Sequence, residues 1–137
     1  MHEYVGDIYK RASKAVWDAG PAVKFITHGY ANALPSGVGV GNLFGRLNLI
    51  GPWLKPSLDA NGYGPADGAD LVRRVLGEFN IMLAGLAAAD PRFVYVDFRP
   101  HIGSDSEDWA NELHLTNAGI WVAARVLNDA ITAAVGP

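Results

Sequence analysis

Val5, Ile8, Tyr9, Ala12 and Val16 recur at helical spacing, and the run stops at Gly20 and Pro21, residues suited to a helix C-cap and a chain stop. The pattern predicts one amphipathic helix. Val23, Phe25, Ile26 and Thr27 then form a short β-prone run closed by Gly29, which predicts a buried strand carrying His28 at its end. Further on, Leu71, Val72, Val75, Leu76, Phe79, Met82, Leu83 and Leu86 trace a wide apolar stripe, with Arg73, Arg74, Glu78 and Asn80 off it. A long surface helix follows from this spacing, and its stripe needs a sheet or helix to cover it. After Asp90 and Pro91, the stretch RFVYVDF predicts a second strand ending at Asp97. The last helix is expected to start at Thr116 as N-cap and to run through Ile120, Ala124, Leu127, Ile131 and Val135.

Between Gly29 and Gly68 lie nine of the sixteen glycines and four of the eight prolines. This composition predicts loop with at best short helical turns. A loop of that length is unusual in a compact domain unless it serves a function. Trp53, Leu54 and Leu58 suggest one docking turn of helix, with Trp53 as core packing.

Strands alternating with helices favour a parallel sheet flanked by helices, so the expected class is α/β. In such sheets the ligand crevice lies beyond the carboxyl ends of the strands. That rule gathers the loops starting at His28 and Asp97, and the loop from Asp108 to His114, at one edge. His28, Gly29 and Tyr30 are the candidate binding residues there.

The chain of 137 residues fits a single domain spanning 1–137. Its net charge of −3 gives no basic face for phosphates, so nucleic acid is not the expected partner. Without cysteine there is no thiolate nucleophile, disulfide framework or cysteine-ligated zinc, and the compartment is left open. The N-terminus lacks the basic start and apolar run of a secretory signal, and no uninterrupted apolar stretch approaches the roughly 18 residues of a membrane span. The glycines at 37, 39, 41 and 45 fit neither G-x-G-x-x-G nor a P-loop and read as flexible chain. The acidic run DSEDWANE lacks calcium-loop spacing, and the histidines form no H-x-x-x-H pair, so neither metal nor cofactor is expected.

The most informative stretch is DWANELHLTNAG, residues 108–119, where a histidine follows acidic and amide side chains just before a helix start. It resembles the final block of the SGNH (GDSL-type) esterase and lipase family, in which an acid-x-x-histidine pattern precedes the last helix. FITHGYANALP, GPWLKPSLDANGY and FVYVDFR match that family's C-terminal portion in order and spacing, so the resemblance covers almost the whole chain. It implies a partial three-layer αβα fold (SGNH- or flavodoxin-like) and hydrolysis of a small carboxylic ester. His114 would be the general base, taking a proton from a serine hydroxyl and returning it to the leaving alcohol.

Two departures from the family pattern matter. The position three before His114, usually aspartate, is Asn111, whose amide oxygen can orient a ring N–H but brings no negative charge. Asp108 is a substitute acid if its loop folds back. The Gly-Asp-Ser block and the oxyanion-hole glycine and asparagine blocks are not visible, so the chain reads as the back half of such a domain. Ser13, Ser36, Ser57, Ser104 and Ser106 are the available hydroxyls, and Ser104 and Ser106 lie in the loop leading to His114. Loop serines are more often turn formers. The rival reading is a non-catalytic or truncated fragment that folds by self-association, because two strands leave an open edge for a second copy through edge pairing or segment exchange.

Overall fold

The computed structural model describes residues 2–43 and 47–136. Its elements run α1 (His2–Ala19), β1 (Phe25–His28), β2 (Val40–Leu43), β3 (Leu47–Ile50), α2 (Lys55–Ala60), α3 (Pro65–Ala89), β4 (Phe93–Val96) and α4 (Asn117–Val135). The protein is mixed helix and strand, with two two-stranded sheets among the described residues.

β1 and β4 pair in parallel, Phe25 opposite Phe93 and His28 opposite Val96. Successive strand side chains point to opposite faces, and the contacts of β4 follow that alternation. The Phe93 ring meets Tyr9 of α1 at 6.4 Å, and the Tyr95 hydroxyl donates to Asn80 of α3 at 2.6 Å. Val96, of opposite parity to both, joins the core cluster of Ala31, Ala33, Phe98, Ile102 and Trp109, against which Val122, Val126 and Leu127 of α4 pack. The parallel pair thus packs with α1 and α3 through Phe93 and Tyr95 and with α4 through the cluster around Val96, within a mixed helix-and-strand architecture.

The region expected to be loop departs from expectation. β2 and β3 form an antiparallel hairpin, Val40 opposite Ile50 and Leu43 opposite Leu47, so the glycine-rich run read as flexible chain contains a strand. Residues 44–46 lie outside the described residues. The left-handed backbone of Gly37 (φ 78°) and Gly51 (φ 77°) turns the chain on either side of the hairpin, a conformation that costs glycine nothing. The docking turn predicted around Leu58 is α2.

Asn80 also corrects the sequence reading. Placed off the apolar stripe, it is fully buried. Its amide nitrogen donates to the carbonyls of Tyr30 (2.9 Å) and Leu76 (2.7 Å), while its oxygen accepts from Tyr95. Every polar atom of the side chain is thus satisfied, which makes burial tolerable. Asn80 also explains Gly29: a Cβ at residue 29 would overlap its side-chain oxygen, so glycine is needed there for close approach.

α4 starts as expected at Thr116, whose hydroxyl accepts from the Gly119 N–H at 3.1 Å. Its outer side is apolar as well: Trp121 is 74% exposed, and Ile120, Ile131 and Val135 are exposed too. By length and composition alone this helix could cross a membrane. Arg125 and Asp129 interrupt it near its centre, and charges there would each cost about 3 kcal/mol in hydrocarbon.

Candidate functional site

The loop from Asp108 to Thr116 closes on itself. The Thr116 N–H donates to the Asp108 carbonyl at 2.8 Å, the Ala110 N–H donates to the His114 carbonyl at 2.9 Å, and Trp109 bridges Leu115. Inside this turn the Asn111 side-chain oxygen accepts the backbone N–H of Leu113 and that of His114, each at 3.0 Å. Only the oxygen of an amide can accept, so these two bonds fix which way the Asn111 amide faces. The same oxygen lies 2.9 Å from His114 Nδ1.

The tautomer follows from that geometry. An acceptor facing Nδ1 requires Nδ1 to carry the proton, which leaves the Nε2 lone pair free. Asn111 is buried while His114 is exposed, so a fixed, shielded partner holds a ring whose other face is open. Such a histidine can accept a proton from a hydroxyl brought to Nε2. Of the two sequence candidates for orienting it, the structure brings Asn111 to the ring and does not bring Asp108. The Asp108 carboxylate instead accepts the Gly103 N–H at 2.7 Å, holding the preceding loop.

Trp53, read from sequence as core packing, meets the His114 ring edge-on with centroids 5.7 Å apart. What places it there is Glu112, which lacks the spacing expected of a histidine partner and whose burial the sequence did not signal. This fully buried carboxylate accepts four backbone N–H groups: Gly37 (2.9 Å) and Lys55 (3.0 Å) on Oε1, Trp53 and Leu54 (both 2.6 Å) on Oε2. Leu54 supplies no side-chain cap for α2. Glu112 does so from a distant loop, with its negative charge at the positive end of the helix.

The expected binding residues lie close by. The Tyr30 hydroxyl donates to the Leu113 carbonyl at 3.0 Å, and its ring stacks on Trp109. Burial pushes that hydroxyl above its ordinary value, which keeps it a neutral donor. His28 stacks on Phe98 with centroids 4.9 Å apart, and its Nδ1 lies 2.8 Å from the Gly29 carbonyl oxygen. His28, Gly29 and Tyr30 line one small cavity of about 150 Å³ with Leu113 and Leu115. A larger one of about 430 Å³ lies between α2 and α3, lined by Tyr30, Trp53, Leu58, Val72, Val75 and Leu113 among others, with almost no polar surface.

The serines are not brought to the base. Ser13 is buried and donates to the Lys10 carbonyl, and the Ser36 hydroxyl accepts from the Val38 N–H. Ser57 lines the large apolar cavity. Ser106 shares a cavity with Ala110 and Asn111, whereas Ser104 opens onto a different one with Arg73 and Arg99. Among the described residues no serine hydroxyl hydrogen-bonds the His114 ring, and no group of three or more acidic, cysteine or histidine side chains could hold a metal ion. Asp97, just past the end of β4, orients loop backbone by accepting the Arg99 N–H at 3.0 Å. The chain was compared with family models, curated proteins and solved structures, and none matches.

Proposed function

We propose that the chain carries the base-bearing part of an SGNH-type site hydrolysing a small carboxylic ester, within a three-layer αβα arrangement. The observation that carries this reading is the Asn111–His114 pair: a buried acceptor on Nδ1, itself fixed by two backbone N–H groups, and an open Nε2. His114 takes the proton of an attacking hydroxyl and passes it to the leaving alcohol; Asn111 fixes the ring but adds no charge to stabilise the imidazolium. Ser106 is the better intrachain source of that hydroxyl, since it shares a cavity with Asn111 and Ser104 does not. The apolar cavity beside Trp53 and Leu113 suits the acyl group. The test is hydrolysis of short-chain p-nitrophenyl esters by the chain and by His114→Ala. A rate above background that His114→Ala abolishes supports the reading, and equal background rates in both would sink it.

A second reading, a non-catalytic fragment that self-associates, is favoured by a separate observation. Among the described residues β1 and β4 pair with each other only, and α4 leaves Ile120, Trp121, Ile131 and Val135 exposed. Large apolar side chains exposed together on one helix are often covered by a partner. A second copy is the proposed cover, which would also allow a hydroxyl from one chain to meet His114 of another. Light scattering at micromolar concentration decides it: a dimer or larger species that Trp121→Lys dissociates supports association, and a monomer refutes it.

A further inference from the structure

A cavity of about 470 Å³ lies apart from the His114 loop, between α3 and the chain after β1 and β4. Its apolar lining is mostly small, Ala31, Ala33, Ala69 and Gly77 beside Leu34 and Leu76, and its polar lining is Asn32, Arg73, Arg99 and Ser104. The two guanidinium groups come from different elements and are each aimed by a carboxylate. Arg99 gives Nε and Nη2 to Asp97, and Arg73 gives Nη1 to Asp70 at 2.8 Å. Arg99 also interacts with the Tyr95 hydroxyl, whereas Nε and Nη2 of Arg73 and the Ser104 hydroxyl make no hydrogen bond among the described residues.

Asp70 is shared between Arg73 and Arg74, so it does not serve Arg73 alone, and Asp97 serves Arg99. Arg99 keeps its charge, because the neighbouring Asp97 carboxylate raises it above its ordinary value. Guanidinium forks match the planar geometry of a carboxylate. The volume falls within the range of small-molecule sites, and the alanine and glycine part of the lining leaves room for a carbon skeleton.

We infer that this cavity binds a small organic monocarboxylate, its carboxylate bridging Arg73 and Arg99 with Ser104 as a further donor and its carbon skeleton against Ala31 and Ala69. The site is distinct from the His114 loop, and the inference does not depend on ester hydrolysis.

The test uses benzoate as probe and benzamide as its neutral isostere, titrated at constant ionic strength into the isotopically labelled chain and followed by backbone amide resonances. Saturable shifts at Asn32, Arg99 and Ser104 with benzoate but not benzamide are expected. Arg73→Gln, on an exposed part of α3, weakens binding by about tenfold or more, and Ser104→Ala weakens it to a smaller degree without disturbing the fold. Arg99 is left in place, because its removal would strand Asp97. Equal responses to benzoate and benzamide, shifts centred on Trp53 and Leu113 instead, affinity unchanged in Arg73→Gln, or no saturation at all would each overturn the inference.

Discussion

Glu112 Oε2 accepts the backbone N–H of Trp53 at 2.6 Å, and Trp53 in turn sets its ring edge against His114, two residues beyond Glu112 in the chain. One turn thus holds the base through Asn111 and, through Glu112, fixes the wall beside it. Replacing Glu112 by Ala leaves four backbone donors without their acceptor, and a stranded buried donor costs about 1–3 kcal/mol. Water entering the gap recovers part of that sum, so a loss of about 3–5 kcal/mol is expected in urea denaturation. Glu112→Gln keeps one acceptor oxygen and should fall between the two.

Asn111→Ala separates orientation of the base from its presence. The variant retains the imidazole but loses the acceptor that fixes its tautomer, together with two bonds that close the turn. If the chain hydrolyses p-nitrophenyl esters through His114, the variant should lose about 10²-fold or more in kcat. Asn111→Asp, which can accept the same three N–H groups, should recover most of that loss. Recovery by Asp but not by Ser would tie the effect to this acceptor position. Equal rates for all three variants would remove Asn111 from the mechanism.

The elements marked by periodic apolar runs were legible in the sequence: α1, α3, α4 and both parallel strands follow side-chain spacing, and the Thr116 cap follows local chemistry. The pairing of Asn111 with His114 was anticipated only through the family resemblance, and the structure brings the two side chains together within one tight turn. The β2–β3 hairpin was not, since its strands are four residues each and VGNL carries little β propensity; the pairing is decided between the two strands. The burial of Asn80 and Glu112 was missed for a shared reason. Polar residues on a helix or loop usually face water, and what permits their burial is a set of partners distant in sequence, Tyr30 and Tyr95 for one and residues 37–55 for the other.

Gly29→Ala tests the Asn80 network from the opposite side. The added methyl has no room beside the Asn80 oxygen, and the backbone can give way only by stretching the parallel pairing of β1 with β4 or the bond from Asn80 to the Tyr30 carbonyl. Overpacking of this kind costs about 1–3 kcal/mol. Asn80→Ala removes the obstacle along with three hydrogen bonds, so the double variant should be more stable than the sum of the two single losses predicts. Chemical denaturation of the four proteins gives the coupling directly, and simple additivity would show that the clash is relieved elsewhere.

The last prediction concerns acid. Asp90 ends α3 and accepts the Arg92 backbone N–H at 2.9 Å, Nε at 3.0 Å and Nη2 at 2.7 Å, and the Arg92 guanidinium lies over the Trp17 ring of α1 at 4.1 Å. The Arg92 side-chain bonds hold the Asp90 carboxyl down to about 2, below its ordinary value. A carboxylate whose folded value is depressed stabilises the fold above the ordinary aspartate value of about 3.9, and that contribution is lost as pH falls toward the folded value. The stability gap between the parent chain and Asp90→Asn should therefore be constant near neutrality and narrow between about pH 4 and pH 2. Arg92→Gln removes the cause of the depression and should flatten the pH dependence attributable to Asp90. Urea midpoints measured across that range for the three proteins would show it, and a gap that widens on acidification would contradict the assignment.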